Sequence, residues 1–269
     1  MFTRCAILAA GLASVAPLGF GAAEPLSKAQ IQSVVRIEAL TIPTPGEFFA
    51  AIDKQGQPNW TQLFQPKSAG VTSSRAQMAL MLGVLVADGY IAVEAQDGQG
   101  VKNTGKDIIN LGTKLNVSKT ILGRGNSIND FAENNDWSAL REELEATQNE
   151  VKLAMAEQKD QNLVILVTVG AWVRGTDVAA LYISKNYTPG LASLLRQPAI
   201  IEYLLSQLGL LPGSLRLDPL VQKLEQDLAS ALKLVDTDPD KPFPAESVKA
   251  LSETMSGLVN AIAEGAKNP

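Results

Sequence analysis

Two stretches of the chain are free of charge and dominated by apolar side chains. They cover residues 76–87 and 163–173 and end at Asp88 and Arg174. Both fall short of the roughly 17–25 residues that cross a bilayer, so the expectation is two core helices and no membrane span in the mature chain. The first is expected from Ser73 or Ser74, as N-cap, to about residue 96. In the second, residues 163–169 are rich in the β-branched side chains that strands favour. Helical neighbours, a continuous run to about residue 185 and the lack of a partner strand favour helix instead.

Elsewhere apolar residues recur at helical spacing. Val101, Gly105, Ile108, Leu111 and Leu115 lie 4, 3, 3 and 4 apart, the signature of one amphipathic helix. Trp137, Leu140, Leu144, Thr147, Val151, Ala154 and Gln158 alternate steps of 3 and 4, a coiled-coil-like stripe. The charges between them, Arg141, Glu142, Glu143, Glu145 and Lys152, read as a solvated face. Leu220, Leu224, Leu228, Ala231, Leu232 and Val235 predict one late helix, and Val248, Leu251, Met255, Leu258, Val259 and Ile262 another. The acidic, Pro-rich residues 236–244 join them.

Helix boundaries are also written in the sequence. Thr44-Pro45-Gly46-Glu47 is a capping box with Pro at N1, and Asp218-Pro219 is an N-cap with Pro behind it. Asn135 or Asp136 caps the striped helix. Gly98 with Gly100, and Gly123 with Gly125, read as breaks, so residues 118–133 are expected as two short helices around a glycine loop. Pro212-Gly213 is the clearest internal boundary. The fold class is all-α, a bundle or array of about eight to eleven helices with a C-terminal helical hairpin. Residues 24–72 hold short helices and extended chain, 73–211 the main bundle, and 213–269 the docked hairpin. A faint internal echo aligns 82–90 with 169–177, placing Gly83 over Gly170 and Val86 over Val173.

The first 23 residues follow a different rule. Arg4 is followed by an apolar run over 5–15, and Gly21-Ala22-Ala23 precedes Glu24. That is the pattern of a secretory signal peptide, and the protein is expected in the periplasm or secreted. Cleavage would leave 246 of the 269 residues, remove Arg4 and the sole Cys, and move the net charge from −5 to −6. Without Cys there is no disulfide and no thiolate. The chain also has no His, which excludes His-based triads, His metal ligands and imidazole switches. Net acidity argues against nucleic acid and anionic membrane surfaces as partners.

Candidate chemistry rests on charges set in apolar surroundings. Asp88, Arg174 and Asp177 interrupt the two most hydrophobic helices, beside Gly83, Gly89, Gly170 and Gly175. They line a polar pocket, or they neutralise one another as a structural bridge, because a lone buried charge is too costly. Residues 123–137 offer Arg124, Asn126, Asn129 and Asp130, either as a loop for a polar ligand or as helix-capping chemistry. Asp236, Asp238 and Asp240 match the opening of a Ca²⁺ loop, but Lys241 stands where Gly is needed and Ser247 where Glu is needed. No residue is assigned as catalytic or metal-ligating, and no cofactor is implied. The leading expectation is a non-catalytic exported module that binds a protein or small-molecule partner. One rival is an enzyme using Asp88 and Asp177 with Arg174 orienting an anionic substrate. Another is a carrier of a small apolar ligand between the two hydrophobic helices.

Overall fold

The computed structural model describes residues 42–68 and 74–265. The signal-peptide pattern, residues 24–41 of the expected N-terminal segment and Ser73 lie outside the described residues. Among those described there are no strands, and nine helices have seven or more residues. We label the helices α1 (Pro45–Asp53), α2 (Trp60–Leu63), α3 (Arg75–Glu94), α4 (Gly98–Lys114), α5 (Ser118–Glu133) and α6 (Trp137–Glu157). There follow α7 (Gln161–Lys185), α8 (Pro189–Ser193), α9 (Pro198–Gly209), α10 (Gly213–Arg216), α11 (Pro219–Val235) and α12 (Ala245–Glu264). Residues 163–169 are helical, as the length of their run required.

The helix starts carry the expected caps. Thr44 and Glu47 form a reciprocal capping box on α1, Ser74 accepts from the Gln77 N–H on α3, and Asp218 accepts from the Leu220 N–H on α11. Ser74 also donates to Asp218 at 2.8 Å, joining the starts of α3 and α11. The short helix α1 is fixed by its apolar side: Phe48, Phe49 and Ile52 are buried, and Phe49 meets the Trp60 ring at 5.0 Å.

Two glycine readings are corrected. Gly98 and Gly100 do not end α3 from outside; they open α4, where the Asp97 carboxylate accepts from the Gly100 N–H at 2.8 Å. Gly123 and Gly125 do not break the chain at all, because α5 runs through both. A helical glycine costs only about 1 kcal/mol. Ion pairs from Arg124 to α6 and the buried Ile128 and Ala132 hold this helix against that cost.

One corner is used four times. Gln96, Asn116, Asn135 and Lys159 join α3 through α7 in succession, with φ of 53°, 63°, 56° and 62°. After each, the next N–H bonds the carbonyl five residues back: Asp97 to Ala92, Val117 to Gly112, Asp136 to Phe131 and Asp160 to Met155. This left-handed cap reverses the chain within two or three residues. Four reversals bring α7 back parallel to α3. The pairing confirms the direction: Arg75 meets Asp160 near the helix starts at 2.8 Å, and Asp88 meets Arg174 further along.

Among the described residues, the most extensive helix contact lies between α3 and α7. At its centre a Cβ on Gly83 would overlap the Val167 carbonyl oxygen, and one on Gly170 would overlap the Leu80 carbonyl oxygen. Each glycine thus faces the carbonyl three residues before the other, so the crossing is locally two-fold. The sequence echo falls on this contact. Around it the helices form two sequential groups. In the first, α3, α4, α5 and α6 pack in chain order and α6 returns to α3. In the second, α7, α9, α11 and α12 do the same, with α12 returning to α7. Both α3 and α7 are long and apolar enough to cross a membrane by length and composition, but 94% and 83% of their apolar windows are buried inside the protein.

Gly83→Ala and Gly170→Ala should each cost about 1–3 kcal/mol or more, since backbone must move to admit the methyl. Urea unfolding measures this. A change within about 0.5 kcal/mol of wild type would show that the crossing is not tight.

Candidate functional site

Asp88 on α3 and Arg174 on α7 lie on the same side of the crossing, one to two turns beyond the glycines. Burial there is nearly complete, with 0% exposure at Asp88, 3% at Arg174 and 4% at Asp177. The guanidinium of Arg174 donates from Nε to Asp88 at 2.8 Å, from Nη1 to Asp177 at 2.6 Å and from Nη2 to the Gln65 carbonyl at 3.0 Å. The Lys67 N–H donates to the other oxygen of Asp88 at 3.2 Å. The Ser256 hydroxyl on α12 makes a short bond to the other oxygen of Asp177. Five hydrogen bonds therefore join α3, α7, α12 and the segment after α2.

The three residues singled out from the sequence converge, and they converge on each other. The sequence reading missed Gln65, Lys67 and Ser256. The first two act through backbone atoms, which leave no trace in residue type. Ser256 had a signal, since Ser252 and Ser256 interrupt an otherwise apolar side of α12.

Two carboxylates share one guanidinium, so the node has one negative charge in excess when all are ionised. Burial pushes the Asp88 carboxyl above its ordinary value of 3.8, against the pull of Arg174, and Asp177 adds to the rise. For Arg174, desolvation works against its charge, but Asp88 and Asp177 together hold it above its usual range. The arrangement fixes four chain segments to one another. It offers no carboxylate edge to solvent, since every carboxylate oxygen of the node already accepts a bond.

The second candidate set does not assemble. Arg124 turns toward α6 and pairs with Glu143 at 3.0 Å and, through a short contact, with Glu150. Asn126, Asn129 and Asp130 are exposed on α5, facing away from it. The expected ligand loop is instead the surface of one helix. Capping accounts for its end: Asn134 donates to the Asp130 carbonyl, and Asp136 accepts from the Ala139 N–H.

The charges of α6 are not a purely solvated face either. Arg141 grips Glu94 through two bonds of 2.8 Å, and Glu143 holds Arg124. Lys152 is half-buried, and burial pushes its ammonium below its usual value. The buried stripe residues Leu140, Thr147 and Val151 pack within the molecule against neighbouring helices.

Residues 236–244 are organised by a cation. Arg196 donates to the Thr237 hydroxyl at 3.1 Å and to the carbonyls of Pro239 and Lys241 at 3.1 and 2.7 Å, and it lies over the Phe243 ring at 5.7 Å. Carbonyls committed to a guanidinium are poor cation ligands. Among the described residues, no three acidic groups gather as a metal site would need.

One apolar cleft of about 40 Å³ lies between α3, α4, α5 and α6, against Val167 of α7. It holds far less than the roughly 300 Å³ of a drug-sized site. No family model, no curated protein and no solved structure matches the chain.

Arg174→Met should cost about 3–5 kcal/mol in urea unfolding, because it strands two buried carboxylates. Asp177→Asn should cost less, under about 1.5 kcal/mol, since it leaves a neutral Asp88–Arg174 pair and Ser256 can turn to accept. A loss below about 1 kcal/mol for Arg174→Met would refute the buried node.

The raised Asp88 also fixes a pH dependence. The folded protein binds this proton more tightly than the unfolded chain does. Its contribution is fully present below the ordinary value of 3.8 and is lost as pH rises through the higher folded value. The stability of wild type minus that of Asp88→Asn should therefore grow as pH falls from neutral toward 3.8 and level off below it. Denaturant curves across that range test it, and a difference that shrinks on acidification would reverse the assignment.

Proposed function

We propose that the protein is an exported, non-catalytic helical module that works by binding a partner. The observation that carries this reading is the internal use of its ionic side chains. Asp88, Arg174 and Asp177, the groups best suited by type to chemistry, complete one another's hydrogen bonds at 0–4% exposure. The rival enzyme reading requires Asp88 and Asp177 to reach a substrate, and that means dismantling the contact between α3, α7 and α12.

The surface supports the same view. Leu210 and Leu217 are 72% and 73% exposed on either side of α10, whereas the other large apolar residues described are mostly buried. These two leucines are apolar side chains that a partner could cover. The charge and small-residue pattern of the first 23 residues, which suits a secretory signal, supports export.

Native mass spectrometry of the protein purified from its own host tests this reading. The expected result is a mass lacking residues 1–23 together with a stoichiometric partner. A bare monomer of uncleaved mass would overturn it.

A further inference from the structure

The segment after α2 lies across the ionic node as a strap. Gln65, Pro66 and Ser68 are exposed, and Lys67 is half-buried. Two backbone bonds tie it to the buried ions. The Gln65 carbonyl accepts from Nη2 of Arg174 at 3.0 Å, and the Lys67 N–H donates to Oδ2 of Asp88 at 3.2 Å. Phe64, on the α2 side, packs against the apolar core. The strap therefore has an apolar anchor at one end and an ionic one at Lys67.

Every carboxylate oxygen of the node accepts a bond, so an arriving proton must displace or turn a donor. On Asp88 the geometry fixes which one. Oδ1 accepts from Nε of Arg174 at 2.8 Å, where a proton would meet a positive charge, so the proton goes to Oδ2. A carboxyl O–H is a donor, and there it faces another donor, the Lys67 N–H. On Asp177 the same event costs no bond, because the Ser256 hydroxyl can turn from donor to acceptor. A backbone N–H has no such freedom. Among the described residues, the charged groups that act on Asp88 are Arg174 and Asp177 of α7, and α12 meets the node through the neutral Ser256. Burial favours a neutral Asp88, and the proton also removes the excess negative charge of the node.

We propose that Asp88 is a proton-operated latch: ionised, it holds the Lys67 backbone against the node, and protonated at Oδ2 it frees the Lys67 end of the strap. The bond from Arg174 to Oδ1 survives the step, so the crossing of α3 and α7 stays closed while its cover loosens. The coupling is reciprocal. The Lys67 N–H favours the charged carboxylate, so Asp88 holds a proton more tightly once the strap is off. The inference goes beyond the interaction reading, because it stands whether or not a protein partner exists.

The test is amide hydrogen exchange of the purified protein, followed by NMR from mildly alkaline pH down to 3.8 and divided by the intrinsic rate at each pH. The Lys67 amide should lose about ten- to hundredfold in protection on acidification, the worth of one hydrogen bond to a charged group. Amides of α3 and α7 should keep theirs, which separates local release from unfolding. The side-chain carboxyl carbon of Asp88, read in the same samples, should titrate with the same midpoint. Asp88→Asn presents an N–H in place of the O–H, so its Lys67 amide should be weakly protected at every pH. Should that variant fail to fold, the coincidence of the two wild-type midpoints decides. Constant or rising protection of Lys67, loss only together with α3 and α7, a midpoint that follows Asp177 instead of Asp88, or a wild-type response in Asp88→Asn would each overturn the proposal.

Discussion

The approach of α3 to α7 at Gly83 and Gly170 is the contact on which the remaining geometry depends. With no side chain at either position, each backbone rests against a carbonyl of the other helix. Such a crossing buries two long apolar helices against each other along most of their length. It also leaves little freedom in how they are placed. Once the glycines meet, Asp88 and Arg174 must fall beside one another, because each lies four or five residues past its glycine on helices that run the same way. Parallel direction follows in turn from four left-handed corners between them. A local backbone device at Gln96, Asn116, Asn135 and Lys159 thus determines which charges meet far away in sequence.

The ionic node is best understood as the consequence of that crossing. Burying three charges is expensive, and a hydrophobic replacement of the same shape can be as stable. What the charges add is selectivity of arrangement. A slide by one turn would bring side chains onto the glycine contact, and it would also strand the buried ions. The Arg174 guanidinium cannot follow, because its three hydrogen bonds go to α3, to its own helix and to the Gln65 carbonyl. Ser256 then extends the constraint to α12. The node thereby ties the second helical group to the first.

Much of this was legible from residue order. The helical class, the caps at Thr44, Ser74 and Asp218, and the grouping of Asp88 with Arg174 and Asp177 all rest on local signals: period, cap chemistry and charge in apolar surroundings. The misreadings share one cause. Gly98, Gly100, Gly123 and Gly125 look like punctuation in the local sequence, but tertiary contacts decide whether a helix tolerates glycine. Arg124 supplied such contacts across to α6, and so α5 continues. The acidic run 236–240 was equally ambiguous in isolation; its conformation depends on Arg196, 40 residues earlier in the chain. Backbone acceptors such as the Gln65 carbonyl have no sequence signature at all.

The two helical groups are matched in order yet finished differently. In the second, the inner side of α7 is closed by the node and by α12. In the first, the matching space beside α3 is lined by Gly89 and Gly105 and remains partly unfilled, with the oxygen of the buried Gln148 unpaired. Filling it would be chemically simple, since an alanine at Gly105 meets no steric obstacle and would improve the helix. A fold that spends five hydrogen bonds to seal one half and leaves an apolar gap with a bare acceptor in the other is not uniformly optimised for stability. At these positions the local rules of helix propensity and polar pairing are broken without a packing reason, whereas at Gly83 and Gly170 the same residue type is demanded by the crossing.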